Sequence, residues 1–219
     1  MFLENLVVGP LECNCIIFGC NKTKEAVVID PGNEATRILN CLNQNGLHLK
    51  HILQTHAHID HIGGAKELQE ATQTEVLLHQ SDLLVLASLQ MQAFMFVLET
   101  KPPPKINRFI KEDDKITVGT YEMRVIHSPG HSPGSVCFYI LCSMNNDEKH
   151  ILFSGDTLFY RSIGRYDLPG GSYEQLMASI RDKLFVLPDD TIVYPGHGPM
   201  TTIGEEKQDN PFLMFNRIS

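Results

Sequence analysis

Tryptophan is absent from the 219 residues, and positive charge is scarce: 18 Lys and Arg face 26 Asp and Glu, a formal net charge of -8. That balance excludes a broad electrostatic footprint for nucleic acid. Apolar runs stop well short of the ~20 residues a membrane helix needs, so no membrane partner is expected. The opening MFLENLVVGP lacks a basic segment, and Glu4, Asn5, Gly9 and Pro10 break its apolar stretch, which argues against a secretory signal. The six cysteines (Cys13, Cys15, Cys20, Cys41, Cys137 and Cys142) form no C-x-x-C pair, and none sits in a His-rich neighbourhood. They read as buried reduced thiols, and a cytoplasmic protein is expected. Low-complexity tracts and internal repeats are missing too. What remains is an ordinary globular composition, 42% hydrophobic, expected to form one domain over residues 1–219. The unusual feature is ten histidines.

Short β-rich runs alternate with Gly- or Pro-containing breaks. Strands are predicted at 15–19, 25–30, 51–55, 75–79, 115–119, 121–127, 135–141, 150–155 and 191–195. Helices are predicted over about 33–45, after Gly63-Gly64, from near Ser81 and after Ser172, where Gln175 completes a capping-box pattern. One long apolar helix is expected around 82–99, ended by Pro102-Pro103-Pro104; its Met and Phe residues could line the substrate cleft or bury against a partner chain, with core packing the default reading. The mixture predicts an α/β (α+β) fold.

The segment Gln54-Thr55-His56-Ala57-His58-Ile59-Asp60-His61 puts four potential metal ligands just past a strand. In extended chain, His56 and His58 point to the same side, while Asp60 and His61 fall where the chain turns. His131, Asp156 and His197 follow three other strands in the same way, each beside a Gly: SPGHSPG, SGDT and YPGHGP. Sites gather outside the carboxyl ends of strands, so these loops are expected to meet. Five His and two Asp suffice for two divalent metals. His56, His58 and His131 would hold one; Asp60, His61 and His197 the other; Asp156 would lie between. The N/O donor set suits zinc first, and also iron or manganese. His48, His51, His79, His127 and His150 carry no ligand pattern and read as ordinary core or surface residues.

With H-x-H-x-D-H and the separate His, Asp and His in place, the sequence resembles the metallo-β-lactamase superfamily. Within it, the chain is similar to the glyoxalase II-like (hydroxyacylglutathione hydrolase-like) metallohydrolases. The likeness runs nearly end to end, through Asp30-Pro31-Gly32, THAHIDHIGG, SPGHSPGS, SGDTLFYRSIGRYDLPGG, YPGHGPMTTIGEE and Asn210-Pro211-Phe212. It implies a four-layer αββα sandwich with a two-metal site at one edge. It makes Asp30 a residue that steadies the metal loops, and Arg165 an anchor for the substrate. Full-length glyoxalase II enzymes carry a C-terminal helical domain that grips glutathione. This chain stops about twenty residues after His197, so a short form without that domain is expected.

The implied activity is hydrolysis of a small thioester such as S-lactoylglutathione. Two divalent ions sharing a water would lower its pKa from ~15.7 towards ~7, with Asp60 orienting the resulting hydroxide. No Ser-His-Asp or Cys-His arrangement is required, and no G-x-S-x-G occurs. The alternative is a glutathione persulfide dioxygenase on the same fold, using one iron on His56, His131 and Asp156. SGDTLFYRSIGRYDLPGGSYEQL looks more like the hydrolase branch. A β-lactamase is disfavoured because those enzymes generally lack an Asp at the position of Asp156. A nuclease would carry an inserted domain and a basic surface, and a non-enzymatic metal module would need a closed ligand shell.

Overall fold

The structure is a computed structural model, of which residues 1–99, 101–144 and 147–214 are described. Its first sheet runs in chain order: β1 (Phe2–Val8), β2 (Cys13–Gly19), β3 (Glu25–Ile29), β4 (His48–Leu53), β5 (Glu75–His79) and β6 (Ile106–Ile110). β1 to β3 are antiparallel neighbours, whereas β3 to β6 are parallel. The second sheet contains β7 (Lys115–Val118), β8 (Tyr121–His127), β9 (Val136–Met144) and β10 (Asp147–Gly155). After the small hairpin of β11 (Leu158–Phe159) and β12 (Ser162–Ile163), it is completed by β13 (Ile192–Pro195) and β14 (Thr201–Thr202), in the order β14-β13-β10-β9-β8-β7.

Alternation along the strands builds the layers. In β2, Ile16 and Phe18 face a core between the sheets, where they meet Val125, Phe138 and Phe153. Cys13, Cys15 and Ile17 face the other way, beneath α1 (Ala35–Gln44) and α3 (Ala65–Thr72), where Ile38, Leu42 and Leu68 cover them. On the far side, Cys137, Leu152 and Val193 pack against Leu176 of α6 (Tyr173–Ala178), Ile180 and Leu184 of the π-helical turn after it, and Ile203 of α7 (Ile203–Asp209). The result is the expected order of helices, sheet, sheet, helices. Among the described residues no helix is long and apolar enough to cross a membrane.

All nine predicted strands are present in substance. β1 and β6 were not predicted: each mixes exposed polar positions with few buried ones, so neither presents a clean alternating run. The long apolar helix is two short ones, α4 (Leu83–Ala87) and α5 (Leu89–Phe96), counting α2 (Ile59–Ile62) before them. They break at Ser88, whose hydroxyl turns back onto the Val85 carbonyl at 2.8 Å. Ser172 caps α6 by accepting from Gln175 N, but its hydroxyl donates to Glu174. The reciprocal capping box forms instead at Thr202 and Glu205, where α7 starts.

Candidate metal centre

The parallel strands β3, β4 and β5 end on one edge of the first sheet, and they deliver Asp30, His56 and Asp82 there. β8, β10 and β13 likewise run together and deliver His131, Asp156 and His197 to the facing edge of the second sheet. His61 and Asp60 ride on the single turn of α2, which the chain enters straight after His58. Close backbone approach makes this possible: a Cβ at Gly196 would land on Asp156 Oδ1 and on the His61 ring.

All seven residues expected from the sequence meet. His56, His58 and His131 form one group, and Asp60, His61 and His197 another, each with ligand atoms within 4.8 Å of one another. In the first, His131 Nε2 is 2.9 Å from His58 Nδ1 and 3.2 Å from His56 Nε2. In the second, His197 Nε2 is 3.2 Å from His61 Nε2 and 3.0 Å from Asp60 Oδ2. Asp156 stands between them, Oδ1 3.3 Å from His61 Nε2 and Oδ2 3.5 Å from His131 Nε2. His56, His61 and His131 are buried; His58, Asp60, Asp156 and His197 keep partial access.

The outer nitrogens reveal what the inner ones are for. His61 Nδ1 lies 3.0 Å from the Asp30 carboxylate, His131 Nδ1 2.8 Å from the Arg165 carbonyl, and His197 Nδ1 3.2 Å from the Glu12 carbonyl. These partners only accept, so each Nδ1 must donate. Thr55 Oγ1 spends its proton on Asp30 at 2.6 Å and therefore accepts from His56 Nδ1 at 3.0 Å. Each of these four rings is thereby held with Nε2 aimed inward, the arrangement by which acceptors orient metal-binding histidines. Burial, with neighbouring histidines adding to it, pushes His56 well below the ordinary imidazole value, and burial with His131 takes His58 to about 3. Burial opposes the charge on Asp156, but His61 and the other imidazoles more than offset it and hold the carboxyl well below its usual range. Its buried Oδ1 still has no hydrogen-bond partner. Inward-facing ring nitrogens and carboxylates that converge around an orphaned carboxylate oxygen call for positive charge among them, so the residues present fit divalent metals.

Two supporting residues escaped the sequence reading. Asp82 is fully buried and accepts from Ala57 N at 2.8 Å, Ser132 Oγ at 2.9 Å and Gly134 N at 2.6 Å. One carboxylate therefore ties together the loops of His56–His58 and His131. The signal that identified the other loops, a polar residue just past a strand, was present after β5 as Ser81-Asp82. Cys13, remote in sequence from every histidine motif, lies 3.5 Å from His61 Nδ1. Asp30 does sit behind the loops, accepting from Thr55 N at 2.7 Å as well as from Thr55 Oγ1 and His61.

The partly accessible ligand atoms floor a cleft of about 780 Å³. Arg165 reaches its rim, exposed, with its guanidinium on both oxygens of Asp167 at 3.0 Å. The default of core packing fails for the large residues of this stretch: Met91, Phe94, Met95 and Phe96 of α5 are 63%, 81%, 68% and 44% exposed, and Met91, Met95 and Phe96 line the cleft. The inward positions of α5 are taken by Leu89 and Ala93, leaving the larger groups on the outside.

This fold and this donor cluster define a class, and comparison with known proteins agrees. The metallo-β-lactamase superfamily pattern matches residues 8–197, and the chain belongs to that superfamily. Hydroxyacylglutathione hydrolase GloC of Haemophilus influenzae is 38% identical, with 97% of this chain and 98% of GloC aligned. The crystal structure of the BLEG-1 B3 metallo-β-lactamase is similar at a TM-score of 0.85 and 37% identity, covering 97% of this chain and all of that one. TTHA1623, solved in a di-iron-bound form, matches at 0.84 and 38%, over 96% and 100% of the two chains. ETHE1 from Myxococcus xanthus matches at 0.78 and 30%, over 96% and 84%.

Proposed function

We propose that the protein is a cytoplasmic metallohydrolase that cleaves small thioesters in the manner of glyoxalase II. The observation that carries this reading is Asp156 standing between two three-residue donor groups on the floor of an open cleft. The similarity to GloC supports the thioester.

His56, His58 and His131 would hold one divalent ion and Asp60, His61 and His197 the second, with Asp156 reaching both. Zinc suits the donors, and the di-iron form of TTHA1623 supports iron equally. Such ions, when bound, acidify a water molecule and polarise a carbonyl. The chain does the rest. Asp60, which faces the cleft, accepts a hydrogen bond from the attacking water and fixes its direction. Asp30 and Thr55 keep His61 and His56 in one tautomer, so the donor shell needs no reorganisation during attack. The departing thiolate is stable enough to leave without a side-chain acid. Arg165 offers a cation at the rim to a negatively charged thiol carrier, with Asp167 holding the guanidinium in place beforehand.

The test is thiol release from S-lactoylglutathione by the metal-loaded protein and by Asp156→Asn. Turnover by the first and loss in the second is the expected result; turnover that survives the substitution contradicts the bridging role. A second reading draws on the match to ETHE1: one iron on His56, His131 and Asp156, whose atoms lie 3.2 and 3.5 Å apart, acting as a persulfide dioxygenase. Oxygen uptake with glutathione persulfide would favour it. The match to BLEG-1 puts a β-lactam in the same substrate panel.

A further inference from the structure

The walls of the cleft differ in kind from its floor. Met91, Met95 and Phe96 of α5 line one side, and Phe159, Ile163 and Leu168 the other. A helix whose inner face is already filled by Leu89 and Ala93 would ordinarily turn polar residues outward, yet α5 presents thioethers and aromatic rings. The wall is fixed to the reactive centre: Gln92 Oε1 accepts from Ile59 N at 2.9 Å, within the loop that carries His58 and Asp60. The same amide donates to Val85 O and Ser88 Oγ, which holds α4 and α5 together. The apolar wall therefore shares one cleft with His58, Asp60, His131, Asp156 and His197, where the part of a substrate next to the scissile bond must lie. The charged group of the same cleft, Arg165, is exposed.

We infer that the preferred substrate is a thioester with a lipophilic acyl chain, which lies along Met91, Met95 and Phe96 while a polar thiol carrier faces Arg165. The inference rests on the thioester hydrolase reading and names its substrate class. Carrier thiols are polar and charged, so the apolar part of such a thioester is its acyl group. Methionine suits this task because its unbranched, polarisable side chain adapts to chains of different shape. The reaction is ordinary hydrolysis. Water oxygen bonds to the carbonyl carbon, and the C–S bond breaks with its electron pair on sulfur. The water's protons go to the thiolate and to solvent, leaving a carboxylate and a thiol.

The experiment is a chain-length series from acetyl to octanoyl on N-acetylcysteamine, a neutral thiol, turned over by the metal-loaded protein. Each buried methylene should raise kcat/KM about fourfold until the cleft is filled. The double variant Met91→Gln/Met95→Gln should flatten the slope to less than about twofold. A series that is flat or falls with length while S-lactoylglutathione is still hydrolysed overturns this inference and leaves the hydrolase reading standing. No thioester turned over at all overturns the hydrolase reading. The inference is then read by binding alone, using non-hydrolysable methyl alkyl ketones and the methionine methyl signals in an NMR titration. Shifts of the Met91 and Met95 methyls, assigned by the variants and tightening with chain length, would then leave the wall as a lipophilic-chain site without the thioester; their absence overturns that as well.

Discussion

On the floor of the cleft, four imidazoles have the outer nitrogen held by an acceptor and the inner nitrogen aimed towards Asp156 and its neighbours. On the α5 wall of the same cleft, Met91 and Met95 present unpinned apolar groups to solvent. The floor is made of short loops between rigid strands, and each side chain has one position because a buried partner dictates it. The wall is made of area, and several side-chain arrangements serve equally well. Position matters where charge is handled, because a buried donor or carboxylate out of place loses its partner outright. Area matters where apolar matter is bound, and there the loss is graded by each methylene. The two regions should therefore answer substitution in opposite ways.

The largest effect is expected at Asp156. Asp156→Asn should lower turnover by about 10³-fold or more, measured as thiol release, together with metal content. Asp30→Asn, which disturbs the acceptor behind His61 and Thr55, should weaken metal affinity by about 10- to 100-fold in a chelator competition. A smaller loss would mean that the floor tolerates a loose shell. Asp82→Asn turns an amide towards groups that now find a carboxylate. It should cost about 2 kcal/mol and lower Tm by roughly 5 °C.

Acid should also act on the floor first. His56 and His58 titrate below the ordinary imidazole value of 6.5 in the folded chain, so the unfolded chain binds protons that the folded one refuses. Burial opposes the charge on His61 and His197, but the acidic groups beside them outweigh it and shift both upward, so their protons add stability as pH falls towards 6.5. Below 6.5 that gain is complete, and His56 and His58 make metal-free protein lose stability, a slope that His58→Gln should reduce. A Tm that rises on acidification below 6.5 would contradict the downward shifts of His56 and His58. The smallest effect is expected on the wall. Met95→Gln should change stability by less than about 0.5 kcal/mol, so Tm should stay nearly constant while acyl preference changes. A Tm lowered as far as in Asp82→Asn would make the wall part of the packed core and erase the contrast.

The floor was legible in the sequence because each ligand follows the end of a strand, and a strand's end can be read from where alternation gives way to Gly. The layers were legible for the same reason: Ile16 and Phe18 against Cys15 and Ile17 is a period of two. Asp82 was hidden because its role lies in accepting three hydrogen bonds from loops 25 and about 50 residues away, which no local pattern records. The wall was left between core packing and a cleft lining, with the core as the default, because Leu, Met and Phe in a row look the same in either place. Only the position of Leu89 and Ala93 beneath the helix distinguishes the two cases. The split of the helix at Ser88 depends on a hydroxyl finding the Val85 carbonyl, a choice that propensity does not make.

The central claim, two donor groups sharing Asp156, is tested most directly by titrating divalent metal into metal-free protein while following thiol release. Activity that saturates at two ions per chain, with no oxygen consumed, is the predicted result. Saturation at a single iron per chain, accompanied by oxygen uptake, would contradict it.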